Sequence, residues 1–149
     1  MEKYYLWLIP LFVGLITQTI KIIFDIISEK KFDISFFIRW WGFPSVHSSI
    51  SSSITTLMGI KFGLTSPFFS IALIFSFLFW YDAMNVRYEV WRHAQIIKKL
   101  SQIYNITNKK SKWEIYNLKD RLWHTFFEVF SGIIFGVFLT ILTVKLINV

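Results

Sequence analysis

Four long apolar stretches run through the chain, with a short mixed segment after the first and a long polar one before the last. Tyr4 to Ile27 is apolar apart from Thr17, Gln18, Thr19, Lys21 and Asp25. At about 1.5 Å per residue it is long enough to cross a hydrocarbon core roughly 30 Å thick. No small-residue cleavage site follows it, which predicts a retained transmembrane helix rather than a signal peptide. Ser28 to Gly42 reads as a mixed loop, and its Trp40-Trp41 pair suits a membrane interface. Ser45 to Leu64 is only just long enough to span, and its first half is rich in serine. That half must therefore face protein or water rather than lipid. Thr65 to Ala83 is a second strongly apolar span, ending in Trp80-Tyr81-Asp82.

Met84 to Trp123 is the extended polar region. Val86 to Tyr104 sets Val90, Ile97 and Leu100 against Arg87, Lys98 and Lys99, a helical pattern that predicts an amphipathic helix on the membrane surface. Asn105 to Lys112 reads as a polar turn or loop. His124 to Val149 is the last span. Its Thr125, Glu128, Gly132, Gly136 and Thr140 fall at steps of three or four and share one helix face. Gly132 and Gly136 form a GxxxG pair, which suits close helix packing inside the monomer, with a dimer contact as the alternative. The pattern predicts an all-α integral membrane bundle of about four transmembrane helices plus an amphipathic cytoplasmic helix, forming a single domain over residues 1–149.

Composition agrees with that class. The 149 residues are 54% hydrophobic, with seventeen Phe and seven Trp, and mean hydropathy is +0.51. An ordinary soluble domain is not so apolar. The chain has no cysteine, which excludes disulfides and thiolate chemistry. A net charge of +7 without a soluble domain argues against nucleic acid, and instead reports topology and anionic headgroups. With four spans, Ser28–Gly42 and Met84–Trp123 lie on one side of the membrane. That side carries thirteen of the sixteen Lys and Arg, which makes it cytoplasmic. Lys21, Asp25, His47, Asp82, Arg87 and His124 all fall at the same face. Ionisable groups there are functional candidates, because burying them unpaired costs several kcal/mol.

The stretch Phe43-Pro44-Ser45-Val46-His47-Ser48-Ser49 fits the opening turn of a helix, with Pro44 in a position that needs no N–H. The N–H groups of such a turn, with the helix dipole, bind anions. Two histidines, fixed cations and a helix N-terminus suit phosphoryl transfer. Lys21, Arg87, Ser45 and Ser48 are the candidates for holding phosphate oxygens, while one histidine attacks and the other protonates the leaving group. His124 and Glu128 are four apart, so the carboxylate can orient one imidazole nitrogen and leave the other nucleophilic. Structural alternatives stand beside these roles. Ser48 to Thr56 also suits close helix packing, Lys21 snorkelling, Asp82 a pair with Arg87, and Thr125 a helix cap. No ligand spacing for a metal is present.

These residues carry a resemblance. Pro44-Ser45-Val46-His47-Ser48, Tyr81-Asp82-Ala83 with Val86-Arg87, and Leu118-Lys119-Asp120 with His124-Thr125 and Glu128-Val129 resemble the divergent branch of the type 2 phosphatidic acid phosphatase family. That branch is related to bacterial acid phosphatases and vanadium haloperoxidases. Gln18 and Lys21 match its Gln-x-x-Lys. The resemblance implies a metal-independent, cofactor-free phosphatase with a phosphohistidine intermediate. His124 would be its nucleophile, Glu128 the orienting partner and His47 the acid. Lys21 and Arg87 would hold phosphate, supported by Gln18, Asp82 and Thr125. The chain departs from the family pattern at Trp123, Phe126 and Trp91, and at Trp41-Gly42-Phe43, all of which bear on pocket shape. Arg87 and His93 also copy an Arg-to-His spacing of related phosphatases, which makes His93 an alternative nucleophile, although Ile97 stands where its carboxylate would be. The expected substrate is a lipid phosphate: phosphatidylglycerol phosphate, phosphatidic acid or a polyprenyl phosphate. The expected partners are that substrate, membrane lipids and a second copy of the chain, and not nucleic acid. The rival readings are a non-catalytic headgroup-binding or transport protein and a structural subunit.

Overall fold

The computed structural model describes residues 6–30, 42–107 and 125–147, and nearly all of them are helical. Helix α1 covers Leu8–Glu29 and closes on Lys30 in the left-handed region (φ 50°). Helix α2 covers Val46–Phe62; the Ser45 side chain caps it by accepting from Ser48 N–H at 3.5 Å. It stops at Gly63, whose φ of +86° suits a residue without a side chain. Helix α3 covers Pro67–Tyr81, with Ser66 Oγ accepting from Phe69 N–H at 3.1 Å and Pro67 in the first turn. A π-helical turn, Asp82–Val86, joins it to α4, Arg87–Thr107. Helix α5 covers Phe126–Ile147.

Three boundaries differ from the sequence reading. Pro44 stands just outside α2, because Ser45 takes the capping position. Asp82 does not end the helix, since helical hydrogen bonding continues through the π-helical turn into α4. The segment from Asn105 is still helical to Thr107 rather than a turn.

Helix α2 is the centre of the bundle. It packs against α1, α3 and α5, and α1 also meets α5. Its contacts set the directions. Thr17 pairs with Ser49, and Gly14 lies against Ile50, so α1 runs antiparallel to α2. Thr55 and Ser76 share a hydrogen bond, and Trp80 Nε1 donates to Ser51 Oγ at 3.0 Å, so α3 is antiparallel too. Gly132 faces Ser45 and Ser48, Gly136 faces Ser49 and Ser52, and Thr140 donates to Ser53 at 2.6 Å, so α5 runs parallel.

The interior is polar and the surface is apolar. Six serines of the α2 region (Ser45, Ser48, Ser49, Ser51, Ser52, Ser53) are buried, with Thr17, Thr55, Ser76 and Thr140, while Phe68, Phe75, Phe77, Phe127 and Phe138 are exposed. Water would not tolerate that inversion, whereas a bilayer requires it, because small residues let backbones approach and lipid covers the large ones. Among the described residues three runs are long and apolar enough to cross a membrane: Leu8–Ser28, Pro67–Leu100 and Phe126–Ile147. At 17 residues, α2 measures about 26 Å and is too polar to face lipid. Its serines face protein, as the sequence required, and their hydroxyls bond to backbone carbonyls or to hydroxyls on neighbouring helices. The chain is an all-α integral membrane bundle.

The GxxxG pair of α5 is engaged by α2 of the same chain, so that surface is not offered to a second copy. One consequence is testable. Thr140→Val, which keeps the volume but removes the bond to Ser53, is expected to cost about 1 kcal/mol, the usual scale of interhelical hydrogen bonds in membranes. Denaturant unfolding in detergent, followed by helical circular dichroism, reads that loss.

Candidate functional site

The helix directions place four element ends together. The α1 segment bearing Lys21 and Asp25, the N-termini of α2 and α5, and the π-helical turn beginning at Asp82 all lie at one end of the bundle. The backbone fixes part of this directly. Ser45 N–H donates to the Glu128 carbonyl at 3.0 Å, which locks the start of α2 to the first turn of α5.

Lys21 is 2% exposed, so it does not snorkel to the surface. It lies beneath the segment leading into α2, where a Cβ on Gly42 would stand 3.0 Å from Lys21 Cε and 3.5 Å from Asp25 Oδ1. Gly42 has a φ of +128°, which strains any residue with a side chain. Its bare backbone therefore leaves room for the lysine stem. Sequence reasoning named Gly42 only as a departure from the family pattern. A glycine two residues before the Pro-Ser turn was the signal available for it.

Ser45 and Ser48 are buried and bonded to each other, with Ser48 Oγ donating to Ser45 Oγ at 3.0 Å. His47 is half-buried in the first turn of α2, and Gln18 and Asp82 are half-buried as well. None of Gln18, Lys21, Asp25, His47 or Asp82 stands isolated in the fold. Thr125 and Glu128 form a reciprocal capping box at the start of α5. Thr125 N–H donates to Glu128 Oε2 at 2.9 Å, and Glu128 N–H donates to Thr125 Oγ1 at 3.3 Å. The cap anticipated for Thr125 is thus present, and it engages the carboxylate that the sequence assigned to histidine orientation. Thr125 N belongs to the peptide bond that follows His124, so the carboxylate is pinned one peptide from that residue.

His93 is exposed on α4, which meets the rest of the fold at the π-helical turn. Arg87 opens α4 at the site end; its side chain lies outside the described residues, as do His124, Trp123, Leu118-Lys119-Asp120, Lys109 to Lys112, Arg39 and Trp40-Trp41. Among the described residues no three His, Asp or Glu side chains form a cluster able to hold a metal.

Fold and site together define a membrane-embedded helical protein in which Lys21, Asp25, His47, Asp82 and Glu128 lie at one end of a hydroxyl-lined bundle. The chain belongs to the divergent PAP2 family, which it matches over residues 2–139. It is also similar to the uncharacterized membrane protein YuiD of Bacillus subtilis (strain 168), at 30% identity over 132 residues, covering 83% of this chain and 84% of that protein. No solved structure gives a significant match.

Proposed function

We propose that this protein is a membrane lipid-phosphate phosphatase whose site faces the cytoplasm. The observation that carries the reading is the meeting, at one bundle end, of the buried Lys21, the α2 N-terminus with His47, and the Glu128 carboxylate held by the Thr125 N–H. Family membership adds to it. In this scheme Lys21, Arg87, Ser45, Ser48 and the N–H groups of the first α2 turn hold the phosphate oxygens. An imidazole nitrogen of His124 attacks phosphorus and the ester P–O bond breaks. His47 gives its proton to the departing alkoxide, and water then cleaves the phosphohistidine to release inorganic phosphate. A carboxylate offers about four lone-pair positions, so Glu128 can serve the cap and orient an imidazole at once. Gln18, Asp82 and Thr125 support these groups.

A site at the end of a membrane-embedded bundle favours a phosphomonoester on a lipid: phosphatidylglycerol phosphate, phosphatidic acid or a polyprenyl phosphate. The protein purified in detergent is expected to release phosphate from at least one of them, with and without chelator. Silence on all three, where a control phosphatase works, would sink the proposal.

A further inference from the structure

Helices α3 and α5 both lie along α2, and α5 meets the α3–α4 run at the π-helical turn. Below that meeting point a groove of about 390 Å³ opens between them, within the size range of small-ligand sites. Thr56 and Gly59 of α2 form its floor, Leu73 one wall and Val137 the other. The hydroxyls of the floor are already used: Ser52 donates to Ser48 O at 2.6 Å, Thr56 donates to Ser52 O at 2.8 Å, and Thr55 pairs with Ser76 at 2.8 Å. The groove therefore presents methyl and methylene surface. Its walls are membrane-crossing helices, so water cannot fill it favourably, and an empty groove would forfeit the contacts of every lining atom.

Its upper end decides the occupant. There it is bounded by Ser52, Trp80 and Ile133. Ser52 lies one helical turn below Ser48, and Ile133 directly follows Gly132, which packs on Ser45 and Ser48. One turn is about 5.4 Å, so the groove begins just beneath the polar cluster and descends toward the opposite end of the bundle. A lipid has that layout, with a phosphate at the interface and a chain running inward from it. A second, smaller groove of about 280 Å³ lies on the α2–α3 flank, lined by Ile54 and Phe75, and includes no residue of α5.

We propose that the groove between α3 and α5 seats one hydrocarbon chain of the phosphate-bearing lipid while its headgroup occupies the polar cluster. This rests on the lipid-phosphate reading above and adds where the chain goes. The test uses the full chain in phosphatidylcholine vesicles doped with phosphatidic acid carrying a diazirine midway along one chain. A parallel sample carries the same diazirine on phosphatidylcholine. After photolysis, labelling by the phosphatidic acid probe at Leu73, Ile133 and Val137 is expected to exceed that at Ile54 and Phe75 by about tenfold, the ratio a 1.4 kcal/mol preference gives. Unlabelled phosphatidic acid should compete it away. The phosphatidylcholine probe should label both sets alike. Val137→Trp, which fills the groove, should abolish the preference while labelling at Ile54 persists. Equal labelling by the two probes, or an unchanged preference in Val137→Trp, overturns the assignment. The readout is labelling rather than turnover, so failure of the groove and failure of the phosphatase reading are separately visible.

Discussion

Gly136→Ala is expected to destabilise the bundle by about 3 kcal/mol or more, at or beyond the upper end of the usual overpacking cost. The added methyl would collide with the Ser49 carbonyl oxygen and stand 2.9 Å from Ser52 Cβ. Both belong to the central helix. The first is backbone of a helical turn and cannot rotate away, so α5 would have to move off α2. That movement would also break the bond from Thr140 to Ser53 and loosen the capped junction where Ser45 N–H meets the Glu128 carbonyl. Gly14→Ala is the informative contrast. Its methyl would meet Ile50 Cδ1 at 2.7 Å and Cγ1 at 2.8 Å, side-chain atoms that can give way where a backbone carbonyl cannot. A loss under about 1 kcal/mol is expected there. Unfolding of both variants in detergent, followed by helical circular dichroism, checks the pair. A wild-type stability for Gly136→Ala would mean that α2 and α5 do not approach as closely as the geometry requires.

This contact was half legible in the sequence. The fourfold spacing of Gly132, Gly136 and Thr140 announced a close-packing face on α5, because helical period alone puts them in line. Its partner was not legible. Serines occur all round α2, so no stripe on that helix pointed uniquely to α5, although packing inside the monomer was the favoured use of the glycine pair. Composition gave no sign that the third and fourth helical segments are joined at Asp82, for a related reason. A carboxylate after an apolar run marks the edge of the hydrocarbon, but backbone hydrogen bonds do not sense that edge, and the helix runs on. The burial of Lys21 beneath Gly42 was not legible, because a glycine before the Pro-Ser turn hints at a positive φ but does not say which side chain lies against it. The cap at Thr125 was legible, but its reciprocal partner was not, because the spacing of Glu128 from His124 suits histidine orientation as well as its spacing from Thr125 suits a capping box.

His124→Ala is expected to lower phosphate release by on the order of a thousandfold or more, while phosphate affinity stays within about threefold. Glu128 separates the two effects. Its Oε2 is held by the Thr125 N–H, so the carboxylate keeps its place when the imidazole is removed, and the capping box should preserve the start of α5. Binding should survive because the groups assigned to hold phosphate, Lys21 and the α2 N-terminus, sit on other helices. Lys21→Met should act in the opposite sense, keeping the stem that packs near Gly42 while removing a charge, and so weakening phosphate affinity along with turnover. A purely headgroup-binding protein has no turnover to lose, and in it His124→Ala would register in affinity alone. A structural role would appear as loss of folding in His124→Ala. Rapid quenching during turnover of a radiolabelled lipid phosphate completes the comparison. Label should be trapped on His124 in the wild type and be absent from His124→Ala, whereas label recovered on His93 would transfer the nucleophile to α4 and overturn the arrangement.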